Sequence, residues 1–304
     1  MGSVYPLFHF ASASLLTPDR TTRPLILISN DDGITAPGIL HLVSIARRFG
    51  RVVVVAPNSP QSGKGHAITL SEPLRLDRST VFAGEAPEEV EAYECSGTPA
   101  DCVKIAKHHV LRARRPDLVL SGINHGSNSS VSVLYSGTMS AAIEAAIEGL
   151  PAIGFSLGEF GHDADFSHTT PIVEEVIRLA LANGMPPGVA LNVNLPKRRP
   201  DEPIRGLKVC RQARAKWQEE FEERHDPYGR RYYWTSGEFV NFDPGADTDE
   251  WALANNYASV VPCQFDLTSA AAAAFLRERW PVNLDELPPA PAPAVLEHPT
   301  AELG

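Results

Sequence analysis

Apolar residues along this chain fall into short unbroken runs, separated by segments whose apolar positions recur at helical spacing. The first run, Leu25–Ser29, follows Pro24 and is continuously aliphatic, the pattern of a parallel strand covered on both faces. After it, Ile39, Leu42, Val43, Ala46 and Phe49 share one helical face, with Pro37 at a first-turn position and Gly50 where a C-terminal cap belongs. A second strand is predicted over residues 52–56, completing a βαβ unit with a right-handed crossover. Thr98, Pro99 and Asp101 read as the N-cap, first and third positions of a helix carrying Val103, Ile105, Ala106 and Val110. Strands over 117–121, 152–156 and 190–195 alternate with helices over 140–148 and 171–182, the former ended by Gly149 and Pro151. Such alternation predicts an α/β fold: a mostly parallel, doubly wound sheet between two layers of helices.

Beyond Pro200 the rhythm changes. Residues 208–213 and 231–239 are strand-like, and a charged segment, 218–230, lies between them. The region reads as an extended β arm with little core of its own, the kind of element that packs on a partner subunit and so predicts a homo-oligomer. A final helix is expected over 267–280, and residues 288–304 are dense in Pro and Ala. The expected organisation is a loose N-terminal extension over 1–23, a catalytic core over 24–200, the arm and final helix over 201–281, and a disordered tail over 282–304.

Composition narrows the function classes. The 304 residues are 43% hydrophobic and 21% charged, as in a folded water-soluble protein. The net charge of −10 repels a polyanion and argues against duplex nucleic acid as a partner, while leaving small anions free to bind locally. Cys95, Cys102, Cys210 and Cys263 form no C-x-x-C pair and have no His at zinc-finger spacing, so a reducing cytoplasm is expected rather than a disulfide framework. No apolar run approaches the ~18 residues needed to span a bilayer, so no membrane association is expected.

In an open α/β sheet the chemistry belongs at the carboxyl ends of the strands, and polar clusters fall there. The first strand runs into Asn30, Asp31, Asp32 and Gly33; the second into Asn58, Ser59, Gln61, Ser62 and Gly63; a later one into Ser121, Gly122, Asn124, His125 and Gly126. Adjacent carboxylates repel unless a cation or hydrogen bonds compensate, and oxygen-only donors favour Mg²⁺, Mn²⁺ or Ca²⁺ over zinc. Asp31 and Asp32 also suit a helix-capping turn, so both readings stand on the pair alone. An EF-hand is excluded by Ile28 and Ile39, and a P-loop by Asn58 and Gly65 at positions that demand Gly and Ser or Thr. The loop can instead place Ser62 on a metal and Lys64 near an anion, or be a plain turn with Lys64 solvated. Asn124 can ligate through its amide oxygen, whereas His125 reads best as an ordinary loop histidine. Ser136, Gly137 and Thr138 precede the Ala-rich helix, where free amides and the macrodipole can hold a phosphate or a hydroxyl simply caps the helix. Trp234, Phe239 and Phe242 on the arm can shape a substrate pocket but read first as packing groups, and Asp247 and Asp249 read as turn or interface residues.

Taken together, SNDDGITAPG, APNSPQSGKGHAITL, YECSGTPADCV, PDLVLSGINHGSN, YSGTMSAAIEAAIEGLPAIGFS and YASVVPCQFDLT resemble the SurE family, over Leu25 to about Thr268. The resemblance implies a Rossmann-like core with a C-terminal arm exchanged between subunits, giving dimers or tetramers. It implies hydrolysis of nucleoside 5′- and 3′-monophosphates, and in some members of short polyphosphate, with one divalent cation, Mg²⁺ or Mn²⁺. Carried over by position, Asp31, Asp32, Ser62 and Asn124 are the expected metal ligands; Asp31, Asp32 and Asn124 also act in catalysis. Gly33, Ser62, Gly63, Ser136, Gly137 and Thr138 are expected around the phosphate. A non-catalytic nucleotide-binding module is the alternative; it would need the phosphate loop but not adjacent carboxylates. A metal-dependent deacylase lacks its H-x-x-D or H-E-x-x-H signature here.

Overall fold

The computed structural model describes residues 23–280 apart from 87, 162 and 163. The expected disordered tail over 282–304 and all but the last residue of the expected N-terminal extension lie outside the described residues. Strands are β1 (Leu25–Ser29), β2 (Arg51–Pro57), β3 (Leu76–Arg78), β4 (Val90–Cys95), β5 (Leu118–His125), β6 (Ala152–Leu157), β7 (Val189–Leu195), β8 (Leu207–Val209), β9 (Ala215–His225), β10 (Arg231–Asn241) and β11 (Ala258–Gln264). The α-helices are α1 (Pro37–Ala46), α2 (Pro99–Ile105), α3 (Gly137–Ile147), α4 (Thr170–Asn183), α5 (Asp249–Ala254) and α6 (Ala270–Arg279).

Nine strands form one sheet in the order β3-β4-β2-β1-β5-β6-β7-β11-β8. Pairing from β4 through β7 is parallel, with Leu27 beside Val53 on one side and Val119 on the other. The uninterrupted aliphatic character of β1 has a direct cause. Ile26 and Ile28 pack toward α1 and α4, while Leu25 and Leu27 pack toward α2 and α3, so neither face of the strand meets water. The predicted doubly wound, three-layer Rossmann-like arrangement is the one observed. Among the described residues no helix is long and apolar enough to cross a membrane.

Helix boundaries follow their caps. Thr98 and Asp101 form a capping box at the start of α2, with Pro99 in the first turn. The stretch from Ala106 to Val110 that was expected to continue this helix is instead a π-helical turn. α3 begins three residues earlier than residue 140, because Ser136 Oγ accepts the Met139 amide (3.0 Å) and nucleates the first turn around Gly137.

Past residue 200 the structure corrects several expectations. The charged segment over 218–230 is no simple connection: most of it is β9, paired antiparallel with β10 from Arg231–His225 to Asn241–Ala215. This strand buries no apolar face in the chain, so it lacks the alternation that would have revealed it. Of residues 208–213 only the start is strand, since β8 pairs with β11 over three positions. β11 itself enters the main sheet antiparallel to β7; it, β3, β4 and α5 were not predicted as elements. The described residues fall into two units, divided after residue 265. The described part of the second holds α6, capped by Ser269 on the Ala272 amide (3.2 Å) and with no buried residue.

Close packing places α1 against β5. A Cβ added to Gly38 would lie 1.9 Å from the Ile123 carbonyl oxygen, next to Asn124. Gly38→Ala should therefore reverse the usual benefit of Ala over Gly in a helix and cost about 3 kcal/mol, read as a lower urea midpoint at unchanged slope.

Candidate active site

The chain runs outward from β1 through β2 to β4, then returns to the opposite side of β1 as β5. The crevice between β1 and β5 is the topological switch point, where an open α/β sheet leaves room for a ligand. Asp31 and Asp32 leave β1 there, and Asn124 lies near the end of β5.

Hydrogen bonds bring the loops together. The Gln61 amide donates to the Asp31 carbonyl (2.7 Å), joining the loop after β2 to the loop after β1. Lys64 Nζ donates to Gln61 Oε1 (2.6 Å), and the Gly65 amide donates to the Tyr135 carbonyl (3.2 Å). Tyr135 leads directly into Ser136, Gly137 and Thr138, and the Thr138 hydroxyl donates back to Asp31 Oδ1. The start of α3 presses closely on the same carboxylate: a Cβ at Gly137 would fall 2.6 Å from Asp31 Cβ and 2.8 Å from its Oδ2. Only glycine admits this approach. Gly33 turns the chain after Asp32 with φ +100, and its carbonyl accepts Asn30 Nδ2 (2.9 Å).

Asp31 is 4% exposed. Burial pushes its pKa up to about 6; the Thr138 hydrogen bond opposes this and the charge of Asp32 adds to it. Asp32 Oδ2 lies 3.3 Å from His125 Nδ1, and the His125 ring meets the edge of Phe166 at 5.0 Å. His125, expected to be a bystander, thus contacts a site carboxylate. Asn124 spends its amide N–H groups on the carbonyls of His125 (3.0 Å) and Gly126 (2.8 Å), which leaves Oδ1 as its outward acceptor. Asn30 Oδ1, Ser121 Oγ and His125 Nε2 are buried at the same strand ends without a hydrogen-bond partner in the chain. Ser62, Gly63 and Lys64 are exposed on the loop after β2.

The donor chemistry suits a hard cation. Two carboxylates stand side by side, one of them buried against its preference, with neutral oxygens of Asn124 and Ser62 on adjoining loops. Among the described residues no group of three or more His, Cys, Asp and Glu side chains gathers to hold a metal, which sets this donor set apart from a zinc-type cluster.

Two contributions were not anticipated from sequence. Glu144, on the buried face of α3, receives His66 Nε2 at 2.9 Å and Lys104 Nζ at 2.6 Å. The His66 hydrogen bond, against the opposing effect of burial and together with Lys104, holds the Glu144 carboxyl below its ordinary range. Asp101 accepts the Thr69 amide (3.1 Å) and hydroxyl (2.6 Å), so both ends of the Gly65–Thr69 stretch are tied to helices. The charged residue inside the Ala-rich helix pattern was the available signal for Glu144. Asp249, in keeping with a structural role, accepts the amides of Ser130 (2.8 Å) and Ala213 (2.9 Å) and anchors the base of the arm. On the arm, Trp234 and Phe242 are exposed, and Phe239 packs on Trp217.

An acid whose pKa is higher folded than unfolded stabilises the native state fully below its unfolded value near 3.8, and that contribution is lost as pH rises to about 6. At neutral pH an ionised Asp31 is a burden on the metal-free protein. Asp31→Asn should raise the unfolding temperature in EDTA at pH 7.5, a gain in stability of up to about 3 kcal/mol, with the gain shrinking toward pH 4. Calorimetry across that range checks both the sign and the window.

The family model described as survival protein SurE matches residues 26–219. The 5′-nucleotidase SurE of Cytophaga hutchinsonii is 60% identical over 259 residues, covering 85% of this chain and 98% of that protein. That of Christiangramia forsetii is 58% identical over 247 residues, covering 81% and 93%. The crystal structure of the SurE protein from Aquifex aeolicus superposes with a TM-score of 0.70 at 38% identity, covering 84% of this chain and 99% of that one. With its sheet order, its switch-point carboxylates and relatives this similar along nearly their whole length, the chain belongs to the SurE family.

Proposed function

We propose that this protein is a divalent-metal-dependent phosphomonoesterase that hydrolyses nucleoside 5′-monophosphates, with 3′-monophosphates and short polyphosphate as further substrates. The observation that carries this reading is the buried Asp31 beside Asp32, pressed against the N-terminus of α3. Relatives named 5′-nucleotidase over most of the chain support the reaction class. A module that only bound nucleotides would gain nothing from adjacent carboxylates, one of them desolvated.

Asp31, Asp32, Ser62 and Asn124 would hold the cation. A bound Mg²⁺ or Mn²⁺ would supply positive charge against the charge that builds on the phosphoryl oxygens. Thr138 fixes the Asp31 carboxylate through its hydroxyl. The start of the eleven-residue α3, with the positive end of its dipole, orients the phosphate. Gly33 and Gly63 let backbone approach it without a Cβ in the way. Attack by water in line with the ribose oxygen forms the new P–O bond as the ester bond breaks, and positioning with charge stabilisation supplies most of the rate.

Asp32→Ala, folded by circular dichroism, should release phosphate from AMP at least about 10²-fold more slowly, and EDTA should silence the parent protein until Mg²⁺ or Mn²⁺ is restored. Near-full turnover of Asp32→Ala in excess Mn²⁺ would contradict the site.

The arm supports self-association. Phe221, Tyr228, Tyr233 and Trp234 are more than half exposed on the β9–β10 hairpin, which gathers no apolar core of its own. Pairing with other copies, as a dimer or tetramer, would cover these side chains. Sedimentation at micromolar concentration should show an oligomer that becomes smaller when residues 218–238 are replaced by a short Gly-Ser turn; a parent protein that sediments as monomer removes the arm as an interface.

A further inference from the structure

A cavity of about 370 Å³ opens beside the phosphate end of the site, lined by Tyr135, Trp217, Thr235, Ser236 and Gly237. Its size falls at the lower end of the 300–1,000 Å³ typical of small-ligand pockets. Tyr135 belongs to both places. It precedes the Ser136 cap of α3 by one residue, and its carbonyl accepts the Gly65 amide from the loop after β2 (3.2 Å). A group esterified to a phosphate at the start of α3 therefore has this open cavity beside it, one residue away along the chain at Tyr135.

The walls have the chemistry of a base site. Tyr135 and Trp217 keep 53% and 39% of their surface exposed, which is costly for large rings unless something covers them. Trp217 is not loose: Phe239, its cross-strand partner, meets it at 5.4 Å and 63°. The strand that carries it is tied to the core where Ser130 Oγ accepts the Ala215 amide (3.0 Å). Ser236 donates to the Glu220 carbonyl (3.1 Å), and the Thr235 hydroxyl lies on the same rim with polar capacity for a base edge.

We propose that the cavity between Tyr135 and Trp217 receives the nucleobase of the substrate, and that Trp217 is a specificity-determining residue distinguishing nucleotides from phosphate esters without a base. The inference rests on the nucleotidase reading above, and its occupant is an aromatic base because two partly exposed aromatic rings, Tyr135 and Trp217, line the cavity and Tyr135 directly precedes the Ser136 cap of α3. Stacking accepts any base, so the site selects for the presence of a base more than for its identity.

The test compares AMP with glycerol 2-phosphate in the full-length protein carrying Mn²⁺, using the parent, Trp217→Ala and Trp217→Phe, together with tryptophan fluorescence during titration with AMP or ribose 5-phosphate. In Trp217→Ala the ratio of kcat/KM for AMP to that for glycerol 2-phosphate should fall about tenfold or more, chiefly through KM, and Trp217→Phe should restore most of it. AMP should quench tryptophan emission in the parent but not in Trp217→Phe, and ribose 5-phosphate should quench neither. An unchanged substrate ratio in Trp217→Ala, or AMP quenching that persists in Trp217→Phe, overturns the base site. Should the parent hydrolyse neither ester, the nucleotidase reading fails, and the quenching experiment alone still decides whether a base sits on Trp217.

Discussion

Placing two carboxylates next to each other where a buried strand ends is the constraint around which the rest of this molecule is arranged. A carboxylate with Asp31's burial is uncomfortable as an anion, and its pKa of about 6 expresses that discomfort. The fold supplies the hydroxyl and backbone of Thr138, a backbone contact through Gln61 and the close approach of Gly137, but among the described residues no positive side chain pairs with Asp31. Charge compensation is left to what binds. A site destabilised in this way, on an otherwise well-packed sheet, has the energetic profile of a functional centre rather than of a structural ion pair.

Support for that centre comes from secondary structure more than from long side chains. The switch point between β1 and β5 creates the crevice, the start of α3 brings amides and a dipole to its edge, and α1 packs so tightly on β5 that Gly38 touches the backbone next to Asn124. The loop after β2 has no such backing, and it is secured by side chains instead: His66 on Glu144, Thr69 on Asp101, and the backbone bond from Gly65 to Tyr135. These bonds fix where Ser62 and Lys64 can sit relative to the carboxylates. The same Tyr135 that receives Gly65 lines the cavity at the root of the arm, so the start of α3 and that cavity adjoin.

The arm is organised by a different principle. Its strands pair along their full length, yet it contributes little to the core except at its root, where Asp249 and Ser130 bind its backbone. Removing water from its exposed rings requires another molecule, whether substrate at the root or a second copy further out.

Local pattern determined much of this protein. The unbroken Leu25–Ser29 run, the Thr98–Asp101 capping box and the alternation of strands and helices to residue 195 were all legible, because side-chain periodicity and capping depend on residues a few positions apart. So was the convergence of Asp31, Ser62 and Asn124 on one end of the sheet, since parallel strands must present their carboxyl ends together. Tertiary structure alone decided the antiparallel entry of β11, the strand character of the charged segment in β9, the contact of His66 with Glu144 across 78 positions, and the placement of Trp217 opposite Tyr135. Those outcomes depend on register and on which distant surfaces meet, and periodicity carries no record of either. A strand with no buried face leaves no alternation, and a histidine in a polar loop looks the same whether it faces water or a carboxylate on a helix half a domain away.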